Sequence, residues 1–532
     1  MLLALFNACL SVGVQAAEPE AVTEPVIKAS AGDYRGVRQG AVDVFRGIPF
    51  AAPPVGALRW RPPQAAPRVT GIQDATRFGP ICPQPVRKSY IGFLKGLEQN
   101  EDCLTLNIWK EAAPAAPRPV MVYIHGGGST SGSGSFDLVD GTHLAQQGVV
   151  VVTFNYRLGV LGYFAHPALT RAASAEEPLA SFGMMDQIAV LRWVKDNIAA
   201  FGGDPTRVTI FGMSAGGQSV NYLMAVPAAR GLFHSAISES SALNMFQPYY
   251  LDRRGEGFPS LGSPEGGKAS YEELGVRLAK FFGIDDGPEA AERLRNIPAA
   301  SLMQYQEKGF GGLFEPVIDG RLFKQSVGVT FREGREAPVP YIAGATDWEG
   351  SLAAPFGGKF IATRMSSLGM TREDAVRLHG KIDDATLAQR LETDSFLGSQ
   401  RWLVKRHARN GFPAWLYYFT YKLEAHRGEF PGAPHGAEVR FVFGTLEGLA
   451  RVQDRPMGTK ISPSDLQMAK TVRGYWVGLA KTGNPNGGSR PKWPAYTVAA
   501  DRALELGTKV EAKTVIPARV RFVEKQIDGG GI

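Results

Sequence analysis

The stretch VTIFGMSAGGQSV, Val208 to Val220, constrains the fold of this chain more than any other. A run of β-forming residues ends at Phe211, and a helix-compatible segment begins a few positions later. A strand that turns into a helix over so short a span must reverse sharply, and β-carbons beside the reversal would clash. Gly212-Met213-Ser214-Ala215-Gly216 supplies small residues there and lifts one hydroxyl, that of Ser214, clear of the sheet. At the mouth of a helix, free N–H groups and the helix dipole favour developing negative charge. The competing reading is a tight glycine-rich turn with an idle serine.

The flanking sequence favours the sharp strand-to-helix turn. PVMVYIHGGG and GVVVVTFNYRLG are apolar, β-branched runs, as expected of strands buried on both faces. Between them and Ser214, Ile188, Leu191, Val194 and Ile198 recur at helical spacing, and Gly202, Gly203 and Pro205 stop the helix. VPYIAGATDWEG and AWLYYFTY add two further strands, and Val42–Phe45 a short one. Strands alternating with helices predict an α/β protein with a mostly parallel central sheet, helices on both faces, and loop and helix insertions. Residues 245–310 read as such an insertion. With no internal repeat and no dividing linker, residues 34–532 are expected to form a single domain.

Composition excludes several classes. The formal charge is +7, but 58 basic residues face 51 acidic ones without a dense Lys/Arg block, so nucleic acid is not an expected partner. Met1 to Ala17 are mostly apolar and uncharged, and Glu18-Pro19-Glu20 break the run. Residues 1–17 read as a signal peptide lacking a basic start, 18–33 as a flexible leader, and the mature chain as exported, periplasmic or secreted. No later stretch has the length and apolarity of a membrane span, so no integral membrane association is expected. Beyond the leader, Cys82 and Cys103 remain, able to form one bridge in an oxidising compartment or to stay as two buried thiols.

A serine needs a base, and the oxyanion it creates needs donors. HGGGSTSG, His125 to Gly132, follows a strand and lacks side chains at Gly126, Gly127 and Gly128, so backbone N–H groups can approach a carbonyl. His125 itself reads as a residue that orients its own loop. For the base, His426 and His435 share a Gly/Pro-containing loop after AWLYYFTY. His379 and His407 lie in polar helical stretches and are expected at the surface.

These motifs together resemble the type B carboxylesterase/cholinesterase family of α/β-hydrolases, a bacterial-type exported carboxylesterase among them. EDCLTLNIW, GIPFAAPPVGALRW, NYRLGVLGYF and FGGDPTRVTIFGMSAGG carry the resemblance, which runs from about residue 34 to 505. It implies Ser214 as nucleophile, Glu349 as acid within GATDWEGS, where Asp347 competes, and His435 as base, in the chain order of that fold. It further implies an oxyanion hole of Gly127, Gly128 and Ala215, a serine, Ser240, that orients the acid, and a Cys82–Cys103 disulfide. Arg59 with Glu101 and Arg157 with Asp186 match structural ion pairs. Met213 stands where many members carry glutamate, and no tryptophan lies between Cys82 and Cys103. Both departures argue against a cationic choline ester.

The expected activity is therefore hydrolysis of small-molecule carboxylic esters through an acyl-serine. Short-chain, aryl and polycarboxylate esters are the candidate substrates. No metal or organic cofactor is called for, since no HExxH or Cys/His cluster is present. The alternatives are a lipase with residues 83–102 as its lid, a non-catalytic binding module, and amide or carbamate cleavage. The oligomeric state is left open.

Overall fold

A computed structural model describes residues 24–86, 96–241, 249–254, 269–308, 314–359, 361–451, 459–514 and 517–528. The expected signal peptide, and residues 87–95 of the loop considered as a lid, lie outside the described residues. The main sheet contains eleven described strands. They are β1 (Val37–Gln39), β2 (Val42–Pro49), β3 (Thr105–Glu111), β4 (Arg118–Ile124), β5 (Val150–Phe154) and β6 (Gly203–Met213). β7 (Ser235–Glu239), β8 (Tyr341–Thr346), β9 (Ala414–Phe419), β10 (Ala503–Leu506) and β11 (Val510–Lys513) complete it.

Their spatial order is β11-β10-β9-β8-β7-β6-β4-β5-β3-β2-β1. The stretch from β10 to β5 is parallel, and the two margins are antiparallel. Side chains alternate across it with the period of two that a pleated strand imposes. Val122, Ile210, Ala236, Ala343 and Leu416 enter one core layer, and their neighbours Tyr123, Phe211, Ile237, Ile342 and Tyr417 the other.

Helices cover both faces. On the first side pack α1 (Phe182–Asn197), through Ile188 and Leu191, and the long α4 (Asp384–Arg409), through Leu391, Trp402 and Leu403. Opposite them α6 (Pro463–Thr482) buries Val472, Trp476 and Leu479. Two shorter helices flank the candidate chemistry, α2 (Ala215–Ala225) after β6 and α5 (Ala437–Phe443) after β9. The insertion contains α3 (Tyr271–Phe281), opened by a reciprocal Ser270–Glu273 capping box. No helix among the described residues is long and apolar enough to cross a membrane.

Part of the 18–33 stretch expected to be a flexible leader is ordered instead. Val26–Ala29 and Gly32–Arg35 form an antiparallel hairpin, which Ile72–Asp74 extends into a small separate sheet. Burial of Tyr34 and two hydrogen bonds to Asn197 Oδ1, from Ser30 Oγ at 2.6 Å and Ala31 N at 2.8 Å, fix that hairpin to α1.

Candidate active site

In an open parallel sheet, helices and loops converge at the carboxyl ends of the strands. Here β4 ends at Ile124 and runs into His125-Gly126-Gly127-Gly128, while β6 ends at Met213 and hands over to Ser214. β7 ends at Glu239 beside Ser240, and β8 ends at Thr346, three residues before Glu349. His435 lies in the loop between β9 and α5.

Ser214 adopts φ 60° and ψ −123°, a region that residues with a β-carbon avoid. Surrounding structure holds it there. Its N–H donates to Glu239 O at 2.9 Å, and its carbonyl accepts from Gln218 N at 2.8 Å. The peptide is trans, so a carbonyl turned down the helix leaves the Ala215 N–H facing out of the helix mouth. Gly216 is needed for close packing: a β-carbon there would stand 2.0 Å from Ile124 O.

The glycine loop lies directly against this turn. A β-carbon on Gly126 would reach Met213 O at 2.5 Å and the Ser214 β-carbon at 3.0 Å. The carbonyls of Gly126 and Gly127 are committed inward, to His125 Nδ1 (3.0 Å) and to the N–H groups of Thr130 and Ser131 (3.2 and 3.1 Å). Across each trans peptide, the N–H groups of Gly127 and Gly128 therefore face the other way. His125 is buried, stacks on Tyr156 with ring centres 4.3 Å apart, and receives the Tyr156 hydroxyl on its carbonyl at 2.8 Å. Burial lowers its pKa to about 4, only partly offset by the Gly126 bond. A neutral ring fixed in this way orients its loop.

Glu349 and His435 meet by a short hydrogen bond between Nδ1 and Oε2. Glu349 is buried, the His435 side chain is 9% exposed, and Phe396 lies edge-on to the imidazole at 5.4 Å. Burial opposes the charge on each, but their mutual attraction outweighs it. The imidazole is held above its ordinary pKa and the carboxyl below. Thr346 N donates to Glu349 Oε1 at 2.7 Å, and Ser351 Oγ accepts the His435 backbone N–H at 2.9 Å. The segments on either side of Ser214 and His435 touch: a β-carbon on Gly436 would sit 2.9 Å from the Met213 methyl carbon.

The competitors go elsewhere. Asp347 accepts the Ala433 N–H at 2.6 Å, and burial raises its pKa to about 6. His426 pairs with Glu429 (2.7 Å) and Thr459 (3.2 Å). The two histidines expected at the surface are both buried. His407 spans Glu336 Oε1 (3.0 Å) and Val339 O (2.8 Å), and His379 lies 3.7 Å from Asp394. Their polar neighbours face solvent while these rings face the packed side of their helices.

Two buried carboxyls escaped the sequence reading. Ser240 Oγ donates to Glu438 Oε1 at 2.8 Å and also favours the ionised form of Glu349, so one hydroxyl lies between two acids. Tyr417 OH adds a bond to Glu438 at 3.2 Å. Burial, then repulsion from Glu349, pushes Glu438 up to about 7. Glu239, bonded by Trp476 Nε1 at 2.6 Å, is raised well above its ordinary value by burial and by Glu438. Like charges so close cannot all ionise, which leaves Glu349 as the charged member. The only signal for Glu438 was its position three residues after His435, where a helix-first-turn carboxylate is unremarked.

Cys82 and Cys103 form a disulfide. Arg59 pairs with Glu101 (Nε–Oε2 2.7 Å), and Arg157 grips Asp186 through Nε and Nη2 at 2.8 and 2.7 Å. A cavity of about 370 Å³ opens beside His435, walled by Leu138, Tyr421, Leu423, Phe430 and Phe441, with Lys422 and Arg440 also in its lining.

A parallel sheet carrying a strained serine at one strand end and a carboxylate–imidazole pair at two others is the architecture of an α/β-hydrolase. The chain belongs to the carboxylesterase family, whose profile matches residues 23–368 and 378–523. It is 32% identical over 498 residues to the para-nitrobenzyl esterase of Bacillus subtilis (strain 168), covering 92% of this chain and 96% of that one. It is 33% identical to the fumonisin B1 esterase of Sphingopyxis macrogoltabida, covering 92% and 86%. A solved para-nitrobenzyl esterase superposes with a TM-score of 0.78 at 28% identity, covering 94% of this chain and 99% of that one. A Geobacillus stearothermophilus carboxylesterase does so with 0.77 at 31%, again covering 94% and 99%. The protein is a carboxylic ester hydrolase acting on small-molecule esters.

Proposed function

We propose that Ser214, His435 and Glu349 form the catalytic triad and that Gly127, Gly128 and Ala215 donate to the oxyanion. The observation that carries this is the Glu349–His435 hydrogen bond, in a loop whose next residue packs on the side chain preceding Ser214. His435 Nε2 takes the hydroxyl proton as Ser214 Oγ bonds to the ester carbon. Glu349 holds the tautomer with the proton on Nδ1 and stabilises the imidazolium. The carbonyl oxygen, now negative, is met by three main-chain N–H groups, a contribution of several kcal/mol to the barrier on the order of that measured for other such sites. His435 then protonates the leaving alcohol, and the carbon–oxygen bond to it breaks. Water, deprotonated by the same imidazole, adds to the acyl carbon; the carbon–Oγ bond then breaks, the imidazolium returns its proton to Ser214 Oγ, and the acid is released.

Short-chain, aryl or polycarboxylate esters are the substrates proposed. Similarity to a para-nitrobenzyl esterase and to a fumonisin B1 esterase supports this range. Export is part of the same proposal and is supported by the disulfide, since such bonds persist in oxidising compartments. Cell fractionation tests that point. The central test is Ser214→Ala on a panel of esters varied in acyl size and charge: turnover is expected to vanish with the fold intact, and retained hydrolysis would place the nucleophile elsewhere.

A further inference from the structure

We propose that Gln84 is a positioning residue for the oxyanion cradle, gripping the glycine loop from the segment just after the disulfide cysteine. Its side chain is buried and forms a two-point clamp on one residue of that loop. Nε2 donates to Gly132 O at 3.0 Å, and Oε1 accepts from Gly132 N at 2.8 Å. The second amide hydrogen goes to Cys82 O at 3.1 Å, and the Gln84 backbone N–H is held by Gln99 Oε1 at 2.9 Å. The amide is thereby fixed in one orientation and tied to the base of the disulfide-closed loop.

Gly132 is the far support of the cradle. It adopts φ +117°, and a β-carbon there would stand 2.3 Å from His125 Nδ1 and 2.4 Å from Gly126 O. Its backbone therefore presses on the carbonyl of the same peptide that carries the Gly127 N–H. The next link is equally direct, because Ser131 N and Oγ hold Gly127 O at 3.1 and 3.0 Å and so aim the Gly128 N–H. Any drift of Gly132 tilts both peptides. An oxyanion donor must lie within a few tenths of an ångström of its place to retain its effect, and deleting one costs about 10²–10³ in kcat. No hydrogen bond among the described residues joins Gln84 to Ser214 or His435, so its influence runs through donor direction.

This inference rests on the assignment of Gly127 and Gly128 as oxyanion donors. It is tested with Gln84→Ala and, as a comparison that fills the same space without either bond to Gly132, Gln84→Met. Each is measured for kcat and KM on an aryl ester and for inhibition by a matched pair of ketones, one methyl and one trifluoromethyl. The trifluoromethyl ketone adds Ser214 Oγ to its carbonyl carbon, passes the hydroxyl proton to His435, and places the resulting oxyanion on the cradle. The expected result is a kcat lower by about tenfold or more, KM within about twofold, and an equal fold-loss in trifluoromethyl ketone affinity. Gln84→Met, which keeps the packing and removes the bonds, should show the same losses as Gln84→Ala. Variants that bind the trifluoromethyl ketone as wild type does would overturn the role of Gln84 alone. A wild type that binds both ketones equally would overturn the cradle, and the role of Gln84 with it.

Discussion

Replacing Glu349 by glutamine changes one atom type in the site and nothing in its volume. Glu349 Oε1 accepts the Thr346 N–H at 2.7 Å, and Oε2 faces His435 Nδ1. The amide oxygen of the introduced glutamine must take the first place, because an NH₂ group there would oppose the Thr346 N–H and leave it buried and unpaired, at about 1–3 kcal/mol. The amide nitrogen then faces His435, whose Nδ1 becomes an acceptor. The ring proton moves to Nε2, the atom proposed to receive the proton of Ser214. Loss of the carboxylate also removes the attraction that offsets burial of the imidazolium. By analogy with the same exchange in other serine hydrolases, kcat of Glu349→Gln is expected to fall about 10⁴-fold, some 5 kcal/mol of barrier. The acid limb of the residual activity should move to lower pH, because burial then acts on His435 without that attraction. Steady-state kinetics across pH, with Glu349→Asp as the variant that keeps the charge, provide the assay. A Glu349→Gln enzyme within about tenfold of wild type would refute the role given to this carboxylate.

Three further outcomes follow from the same contacts. The proposed base must be neutral to act, and Glu349 holds His435 above its ordinary pKa of 6.5, so kcat/KM should decline with falling pH along a limb centred above that value; a profile flat to about pH 4 would contradict a histidine base. Glu438 keeps its proton in the folded state up to about 7 against 4.5 ordinarily, so it costs stability as pH rises through that window. Glu438→Gln should therefore raise the melting temperature relative to wild type more at about pH 8 than at about pH 5, and an equal offset at both would refute the raised pKa. Reducing the Cys82–Cys103 bond, which spans 21 positions, should lower stability by about 3 kcal/mol; an unchanged calorimetric melt would contradict a disulfide constraint.

The sheet was legible because its strands are apolar on both faces and punctuated by glycine: Val150–Phe154 is buried throughout, as its β-branched run implies. The sharp turn at Ser214 was legible for a steric reason, since glycines at 212 and 216 flank the junction of strand and helix. His435 was less so. Its loop also holds His426, and nothing local distinguishes an imidazole that meets a distant carboxylate from one that pairs with Glu429, three positions along. His407 and Glu438 were misjudged or missed for a related reason. Charged neighbours describe the solvent side of a helix and say nothing of a ring or carboxyl facing inward, whose partners, Glu336 and Ser240, lie 71 and 198 positions away. The hairpin beginning at Val26 was hidden because its anchor, Asn197, belongs to α1.

The proposed chemistry depends on one hydroxyl being the nucleophile. Treating the enzyme with an organophosphate and mapping the adduct by peptide mass spectrometry tests this directly. A single adduct on the peptide containing Ser214, formed in step with loss of ester turnover, is the predicted result. Full inactivation with the adduct on any other residue, or undiminished turnover once Ser214 is fully modified, would contradict it.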